Sequence, residues 1–162
     1  MIGVDVSVAC ELWAALPNAE ALAVQAIEKA RKVAKVKLYK DAEVSLVLTD
    51  DAQIKSLNLQ WRSQDKPTNV LSFPAAPVAK LATAPLLGDI VVAFETVQKE
   101  TLDDHKTLAD HFTHLIVHGF LHLIGYDHEN GSDAEIMEAL EIKILADLKI
   151  ANPYADTELV IR

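Results

Sequence analysis

The chain has 162 residues, of which 51% are hydrophobic and 24% are charged, so its composition is globular and excludes a disordered protein. Its single cysteine, Cys10, excludes an intrachain disulfide and fits a reducing compartment. The net charge of −9, from 24 acidic and 15 basic residues, argues against indiscriminate binding of nucleic acids, although it allows a local basic surface. We see no signal peptide and no apolar run long enough for a membrane span, so the expected location is the cytoplasm.

Hydrophobic periodicity divides the first part of the chain into two strands and two helices. In order, these are a half-buried strand over residues 2–8, a helix over 18–35 capped by Asn18, a strand over 44–48, and a short helix from a capping box of Asp50 and Gln53 to Trp61. The order strand, helix, strand at the start predicts a right-handed βαβ unit.

The remainder of the chain adds two short strands and three helices. Its elements are a charged loop over residues 62–69, a strand over 70–73 closed by Pro74, an irregular loop over 75–87, a strand over 90–93, a helix over 95–102, a histidine-rich helix from Thr107, and a final helix from a capping box of Ser132 and Glu135 to Leu148. The whole pattern predicts an α+β fold, a single domain over residues 1–162 in which about five helices pack on a small mixed sheet of about four strands.

Five of the six histidines lie between residues 111 and 128, in a stretch that reads HFTHLIVHGFLHLIGYDH. His118 and His122 are four residues apart, so on a helix both imidazoles share one face and can bind one metal ion. Gly125 can end this helix, because glycine accepts a positive φ, and the chain can then return His128 towards the pair. The spacing H-x-x-x-H-x-x-G-x-x-H is that of the metzincin zinc proteases. We therefore predict one Zn²⁺ per chain, bound by His118, His122, His128 and a water molecule.

The pattern departs from those proteases at Gly119, which stands where they carry a glutamate as general base. Three neutral imidazoles leave zinc its full charge and lower the pKa of bound water to about 7, so hydrolysis does not require that glutamate. Its absence disfavours amide cleavage, which must also protonate a poor leaving group. A protease would need another base, such as Asp89 or Asp104, and Asp127 or Asp89 could accept a hydrogen bond from a ligand imidazole.

Simpler interpretations exist for the other histidines and for a basic run. His105, His111 and His114 can be structural histidines with partners in the protein rather than metal ligands. The basic run between Lys29 and Lys40 either forms a solvated helix face or guides an RNA strand. The second interpretation assigns RNA contacts to Arg31, Lys32, Lys35 and Lys37.

Three segments resemble the YbeY family of bacterial endoribonucleases: WRSQDKPTNVLSFP over residues 61–74, LGDIVV over 87–92 and HGFLHLIGYDH over 118–128. The resemblance runs roughly from Leu46 to Leu145, and it implies a small mixed sheet with several helices. It also implies a zinc-dependent endoribonuclease that cleaves single-stranded RNA in ribosomal RNA maturation and ribosome quality control. The implied partners are ribosomal RNA and the small ribosomal subunit or assembly factors.

The resemblance also assigns residues. His118, His122 and His128 match the family's metal ligands, and Arg62 matches an arginine that the family keeps near the site. Where members commonly read P-T-D-V-L-S-F-P, this chain has Asn69, which removes one negative charge and leaves the role of that aspartate open.

Phosphodiester chemistry suits Arg62, because a planar guanidinium stabilises charge on non-bridging oxygens. The alternative for Arg62 is a surface ion pair with Asp65. Whether the 2′-hydroxyl of RNA or water attacks stays open. Two other function classes also remain: a zinc metalloprotease-like hydrolase, and a non-catalytic zinc-containing ribosome-assembly factor whose site is closed by a fourth protein ligand.

Overall fold

The structure is a computed structural model that describes residues 2–127 and 130–154. Within these residues, a four-stranded mixed sheet is combined with five α-helices. The elements are β1 (Gly3–Val8), α1 (Ala19–Ala34), β2 (Glu43–Thr49), α2 (Asp51–Arg62), β3 (Val70–Pro74), β4 (Leu86–Ala93), α3 (Phe94–Asp103), α4 (Leu108–Leu123) and α5 (Gly131–Asp147). Short 3-10 helices occupy Glu11–Ala15 and Val78–Thr83. The predicted α+β fold is confirmed.

The sheet has the order β1-β2-β4-β3. β1, β2 and β4 are parallel, and β3 runs antiparallel to β4 at one edge. The parallel pairing of β1 with β2 across α1 agrees with the predicted βαβ unit. β4 is central, and its residues Ile90 to Ala93 are all buried, as expected of a strand covered on both faces. Among the described residues, β3 therefore has one edge that pairs with no other strand.

Helices cover both faces of the sheet. On one face, Ile27 of α1 and Phe120 of α4 join a large core with Leu46 and Ile90 of the sheet, and buried residues of α5 join the same core. On the other face, Ile54 of α2 packs in a smaller cluster with Leu71 of β3 and with Val91 and Ala93 of β4. α4 is thereby held between the sheet and neighbouring helices. No helix among the described residues is long and apolar enough to cross a membrane.

The predicted starts of α1 and α2 are nearly correct, but their caps differ in detail. Asn18 stands at the N-cap of α1, yet it makes no side-chain cap hydrogen bond within the described structure. Asp50 caps α2 by accepting a hydrogen bond from the Gln53 N–H at 2.9 Å. The Gln53 side chain accepts from the Thr49 hydroxyl instead of returning to Asp50, so the predicted capping box is only half formed.

The predicted capping box of Ser132 and Glu135 is wrong. α5 begins two residues before the predicted first turn, because Asn130 is its N-cap and accepts a hydrogen bond from the Asp133 N–H at 2.9 Å. Asparagine is at least as good an N-cap as serine, so the earlier polar residue starts the helix.

The loop predicted over residues 75–87 is also more ordered than expected. Val78–Thr83 forms a 3-10 helix anchored by the buried Leu81. β4 begins at Leu86 instead of Ile90, since its pairing with β2 extends to Glu43. Gly88 lies between the observed and the predicted start of β4, and it interrupts the apolar pattern that would have predicted a strand there.

Candidate active site

Four histidines form a row along one face of α4. His111, His114, His118 and His122 follow at spacings of three, four and four residues, which makes them neighbours on a helix surface. Successive ring centroids are 6.2, 6.5 and 4.7 Å apart. All four line one cleft of about 810 Å³. The row gives this otherwise apolar helix one polar face, directed into the cleft.

The two predicted metal ligands on α4 are the closest pair in the row. The His118 and His122 rings cross at 81° with their centroids 4.7 Å apart. α4 ends at Leu123, and Gly125 has a φ of 105°, as predicted for the break. A side chain there would be strained by this φ, and its Cβ would lie 2.6 Å from Cγ2 of Val78, which would have to move. The histidine pair and the turn after it therefore form as expected.

The third predicted ligand, His128, lies outside the described residues. Asp127, just before it, lines the same cleft as the histidine pair. Within residues 2–127 and 130–154, no group of three His, Cys, Asp or Glu side chains is arranged to hold a metal ion. The three-histidine zinc site accordingly stays a prediction.

Glu141 of α5 links two histidines of the row. Its side chain is 1% exposed, and its oxygens lie 2.5 Å from His114 Nε2 and 3.3 Å from His118 Nδ1. A carboxylate on one ring nitrogen fixes the tautomer and leaves the other nitrogen to bind a metal. Sequence reasoning named Asp127 and Asp89 for this role and missed Glu141; Asp89 does not line the cleft.

The ionisation of Glu141 follows from its two partners. Burial alone would raise the pKa of Glu141, but hydrogen bonds from His114 and His118 outweigh burial and lower that pKa from 4.5 to about 2. Tyr154 also donates its hydroxyl to Glu141, at 2.8 Å. Burial and the Glu141 carboxylate raise the pKa of Tyr154 above its ordinary value, so Tyr154 remains a neutral donor. His114 thus has a structural partner, in agreement with its non-ligand interpretation.

The Glu141→Gln variant of the metal-free protein should lose about 1.5–3 kcal/mol of unfolding free energy at neutral pH, the contribution of hydrogen bonds to a charged group. Because the folded pKa lies below the unfolded value, the carboxylate stabilises the fold above pH 4.5, and this stabilisation disappears as the pH falls towards 2. Urea unfolding at neutral and acidic pH measures both effects. The control is Glu135→Gln, on the exposed side of α5. If the unfolding free energies of Glu141→Gln and wild type differ by the same amount at both pH values, the Glu141 carboxylate does not stabilise the fold through its charge.

A second carboxylate–imidazole pair lies at the other end of the row. His111 is buried, and its Nε2 is 2.8 Å from Glu100 Oε1. Asn69 donates its Nδ2 to the same carboxylate at 3.0 Å, while its Oδ1 accepts from the Val70 N–H at 2.7 Å. Burial would raise the pKa of Glu100, but the hydrogen bonds from His111 and Asn69 lower it on balance. These hydrogen bonds join Asn69, Glu100 and His111 at this end of the cleft.

Arg62, the last residue of α2, lines the same cleft as His118 and His122. Its Nη2 donates to the Ser72 carbonyl oxygen at 2.7 Å, and its guanidinium carbon lies 5.5 Å from the centroid of the Phe73 ring. The alternative, an ion pair between Arg62 and Asp65, is not seen. Asp65 pairs instead with Lys55, with 3.9 Å between Oδ1 and Nζ. The predicted catalytic arginine and the predicted ligand pair are therefore brought together.

The basic run lies elsewhere on the molecule. Arg31 forms an ion pair with Glu28 at 3.1 Å, and Lys32, Lys35 and Lys37 are exposed. None of these four residues lines the cleft among the residues described. Their assignment to RNA binding stays a prediction.

Residues 11–149 match the family model described as Endoribonuclease YbeY. The chain belongs to this family. It is similar to the Endoribonuclease YbeY of Azorhizobium caulinodans, with 50% identity over 152 residues, 94% of this chain and 96% of that protein. The Endoribonuclease YbeY of Rhizobium leguminosarum bv. trifolii is 58% identical over 118 residues, 72% of this chain and 69% of that protein. The solution structure of TM1509 from Thermotoga maritima matches over 92% of both chains, with a TM-score of 0.53 and 25% identity.

The predicted family and the predicted enzyme class, a hydrolase of the endoribonuclease type, are confirmed by these matches. Within the YbeY family, the position of Gly119 now has a structural explanation. A Cβ at this residue would lie 3.1 Å from both Ile90 Cγ2 and Ser72 Oγ. A side chain at this position would require Ile90 and Ser72 to move by a few tenths of an ångström, which disfavours the glutamate of the metzincins.

Asn69 is the position at which this sequence departs from the YbeY pattern, where aspartate is expected. An aspartate could still accept from the Val70 N–H, but it would face the Glu100 carboxylate without a donor. Asn69→Asp should therefore lower the unfolding free energy at neutral pH by about 1 kcal/mol, the lower end of the cost of an unsatisfied polar group, because Asn69 and Glu100 are only partly buried. Below the carboxyl pKa values the loss should shrink, because protonation relieves the repulsion.

Denaturant unfolding of Asn69→Asp beside Asn18→Asp provides the measurement. Asn18 is exposed and its side chain makes no cap hydrogen bond in the described structure, so this control adds the same charge without a facing carboxylate. If Asn69→Asp is as stable as wild type, the Glu100 carboxylate does not need the hydrogen bond from the Asn69 side-chain amide.

Proposed function

We propose that this chain is a zinc-dependent endoribonuclease that cleaves single-stranded RNA, and that residues 1–162 form a single metal-dependent hydrolase domain. The observation that carries the proposal is one cleft shared by the His118–His122 pair and the Arg62 guanidinium. A metal with a fixed cation beside it suits a phosphodiester, whose non-bridging oxygens gain charge during hydrolysis. The family supports the same activity, because its curated members are named Endoribonuclease YbeY.

The donor set in the cleft fits zinc. Imidazole nitrogens are common zinc ligands, and metal binding requires them deprotonated. Because Glu141 accepts at His118 Nδ1, the proton is held there and Nε2 keeps its lone pair. We assign one zinc ion per chain to His118, His122 and His128. When bound, zinc would supply Lewis-acid activation of water and of the phosphate.

The other residues of the cleft hold protons and charge in place. Arg62 uses one N–H on the Ser72 carbonyl, and a guanidinium carries five, so further donors remain for phosphate oxygens. Packing over Phe73 restricts the guanidinium plane. Tyr154 and His114 hydrogen-bond to Glu141 and keep its carboxylate ionised and directed at His118. These contacts pre-organise the site before RNA binds.

The two alternatives are weaker. A metalloprotease would need a base in place of the glutamate that this chain lacks at Gly119. Of the two candidates for that base, Asp104 lines the cleft and Asp89 does not. A non-catalytic zinc factor would need a fourth protein ligand that closes the metal site, whereas the cleft beside the histidine pair has a volume of about 810 Å³. A cleft that is open beside the histidine pair favours a site that binds a substrate over a closed structural zinc site.

We further propose that the substrate is ribosomal RNA, that the activity acts in ribosomal RNA maturation and ribosome quality control, and that the small ribosomal subunit or its assembly factors are partners. Such a substrate would place the protein in the cytoplasm. Arg31, Lys32, Lys35 and Lys37 would guide the RNA strand from outside the cleft. If they contact phosphates, RNA affinity should fall with added salt.

A parallel assay of single-stranded RNA, duplex RNA and casein tests the function. Wild type should cleave single-stranded RNA, act weakly on duplex RNA and leave casein intact. His122→Ala should cleave none of the three substrates. Casein cleavage without RNA cleavage, dependent on His122, would support the protease instead. RNA cleavage that persists in His122→Ala would identify a contaminating nuclease.

A further inference from the structure

Alternate residues of β3 direct their backbone N–H and C=O groups to opposite edges of the strand, and the hydrogen bonds at its ends show which residues face β4. The two residues next to the ends of the strand both bond towards β4: Asn69 O accepts from the Ala93 N–H at 3.0 Å, and the Ala75 N–H donates to Leu87 O at 3.0 Å. In an antiparallel pair, bonded and non-bonded residues alternate. The odd-numbered residues of β3 therefore direct their N–H and C=O groups at β4.

The even-numbered residues Val70, Ser72 and Pro74 consequently direct these groups outwards, on the edge that lines the cleft. Side chains already occupy part of this edge. Asn69 accepts the Val70 N–H, Arg62 donates to the Ser72 carbonyl, and Pro74 has no N–H. An added peptide strand needs both the N–H and the C=O of an outward residue. Each outward residue lacks one of the two, so the edge is blocked against a peptide strand.

The Ser72 N–H is the donor that remains in the middle of this edge. No acceptor for it is found among residues 2–127 and 130–154. α4 packs close to β3 here, since a Cβ on Gly119 would lie 3.1 Å from Ser72 Oγ, and Gly119 follows His118 directly. Ser72 thus lies next to the residue that follows His118, lines the same cleft as the predicted metal pair, and accepts a hydrogen bond from Arg62 on its carbonyl. The neutral Ser72 N–H and the Arg62 cation therefore lie at the same residue of the cleft edge.

We propose that the Ser72 N–H and the Arg62 guanidinium form a phosphate subsite on the free edge of β3. The N–H donates to one non-bridging oxygen of the RNA phosphate, and Arg62 contacts another. A tetrahedral anion suits this pair because its oxygens lie in several directions, and the blocked edge leaves no register for a peptide. This inference rests on the proposed ribonuclease function, and it makes a backbone group of β3 part of the catalytic apparatus.

Ser72→Pro tests the subsite directly, because it removes the outward N–H without removing a ladder hydrogen bond. Ser72→Ala keeps the N–H and measures the part played by the hydroxyl. Cleavage of single-stranded RNA should be about 10²-fold slower in Ser72→Pro than in Ser72→Ala, as when one donor to a developing oxyanion is lost. Val70→Pro is the matched control, since Asn69 already holds that N–H. Equal rates for the two folded Ser72 variants would overturn the proposal.

An NMR titration of isotope-labelled wild type needs no variant. Inorganic phosphate and a 2′-O-methyl RNA are added in separate arms, and the Ser72 amide should shift more than the Val70 amide in both. An unmoved Ser72 amide while RNA binds would overturn the subsite. If phosphate shifts the Ser72 amide but wild type cleaves no RNA, the subsite stands and the proposed ribonuclease function fails.

Discussion

The His122→Ala variant should lose most of its zinc and reduce RNA cleavage to background. His122 and His118 are the closest imidazoles of the α4 row, so removing one leaves a single helical ligand. The His118 ring would keep its bond to Glu141, and the core side of α4 would be unchanged. Elemental analysis of the purified variant gives the zinc content, and a single-stranded RNA assay gives the activity.

The control for this variant is His105→Asn. His105 is exposed, does not line the cleft and has a φ of 55°, a conformation that asparagine tolerates. It should keep wild-type zinc and activity. A full equivalent of zinc in folded His122→Ala would place the metal elsewhere and remove the basis of the proposed mechanism.

The Arg62→Ala variant should cleave RNA about 10²–10³-fold more slowly than wild type, the usual loss when one donor to transition-state charge is removed. Zinc content should stay the same, because Arg62 approaches the site from α2 and not from α4. Stability should fall only slightly, since Arg62 is exposed and contributes one carbonyl contact and one cation–π contact. Steady-state kinetics, zinc analysis and thermal unfolding measure the three quantities.

Two further variants make the Arg62 result specific. Arg62→Lys keeps the charge without the planar fork, so its activity should lie between those of wild type and Arg62→Ala. Lys55→Ala removes a cation from the exposed face of the same helix and should change little. Loss of zinc or gross unfolding in Arg62→Ala would make the residue structural.

Local patterns in the sequence were sufficient for most of the fold and for half of the site. The alternation in β1 and the apolar spacing of α4 depend on neighbours a few residues apart, and so does the pairing of His118 with His122. Gly125 could be assigned for the same reason, since a helix end requires a particular backbone conformation there. These features need no knowledge of tertiary contacts.

The partners of the histidines could not be read in the same way. Glu141 is separated from His118 by 23 residues and meets it only because α5 packs beside α4. One signal was available: Glu141 lies four residues from Met137 and from Leu145, at the spacing of buried positions, where a lone carboxylate needs a partner. The bond of Arg62 to Ser72 likewise depends on the strand register, which the sequence of β3 alone does not specify.

Glu141 and Tyr154 follow every histidine of the cleft in the chain. During synthesis, the α4 histidines are therefore added to the chain before the carboxylate that fixes their protons. If His118 binds the proposed zinc ion, a chain without α5 and Tyr154 would have the donor atom but not its orientation, so its metal affinity should be lower. Zinc titration of a chain truncated before Glu141, beside the full-length protein, measures this difference. The order of the elements would then delay metal binding until the C-terminal part of the chain has been made.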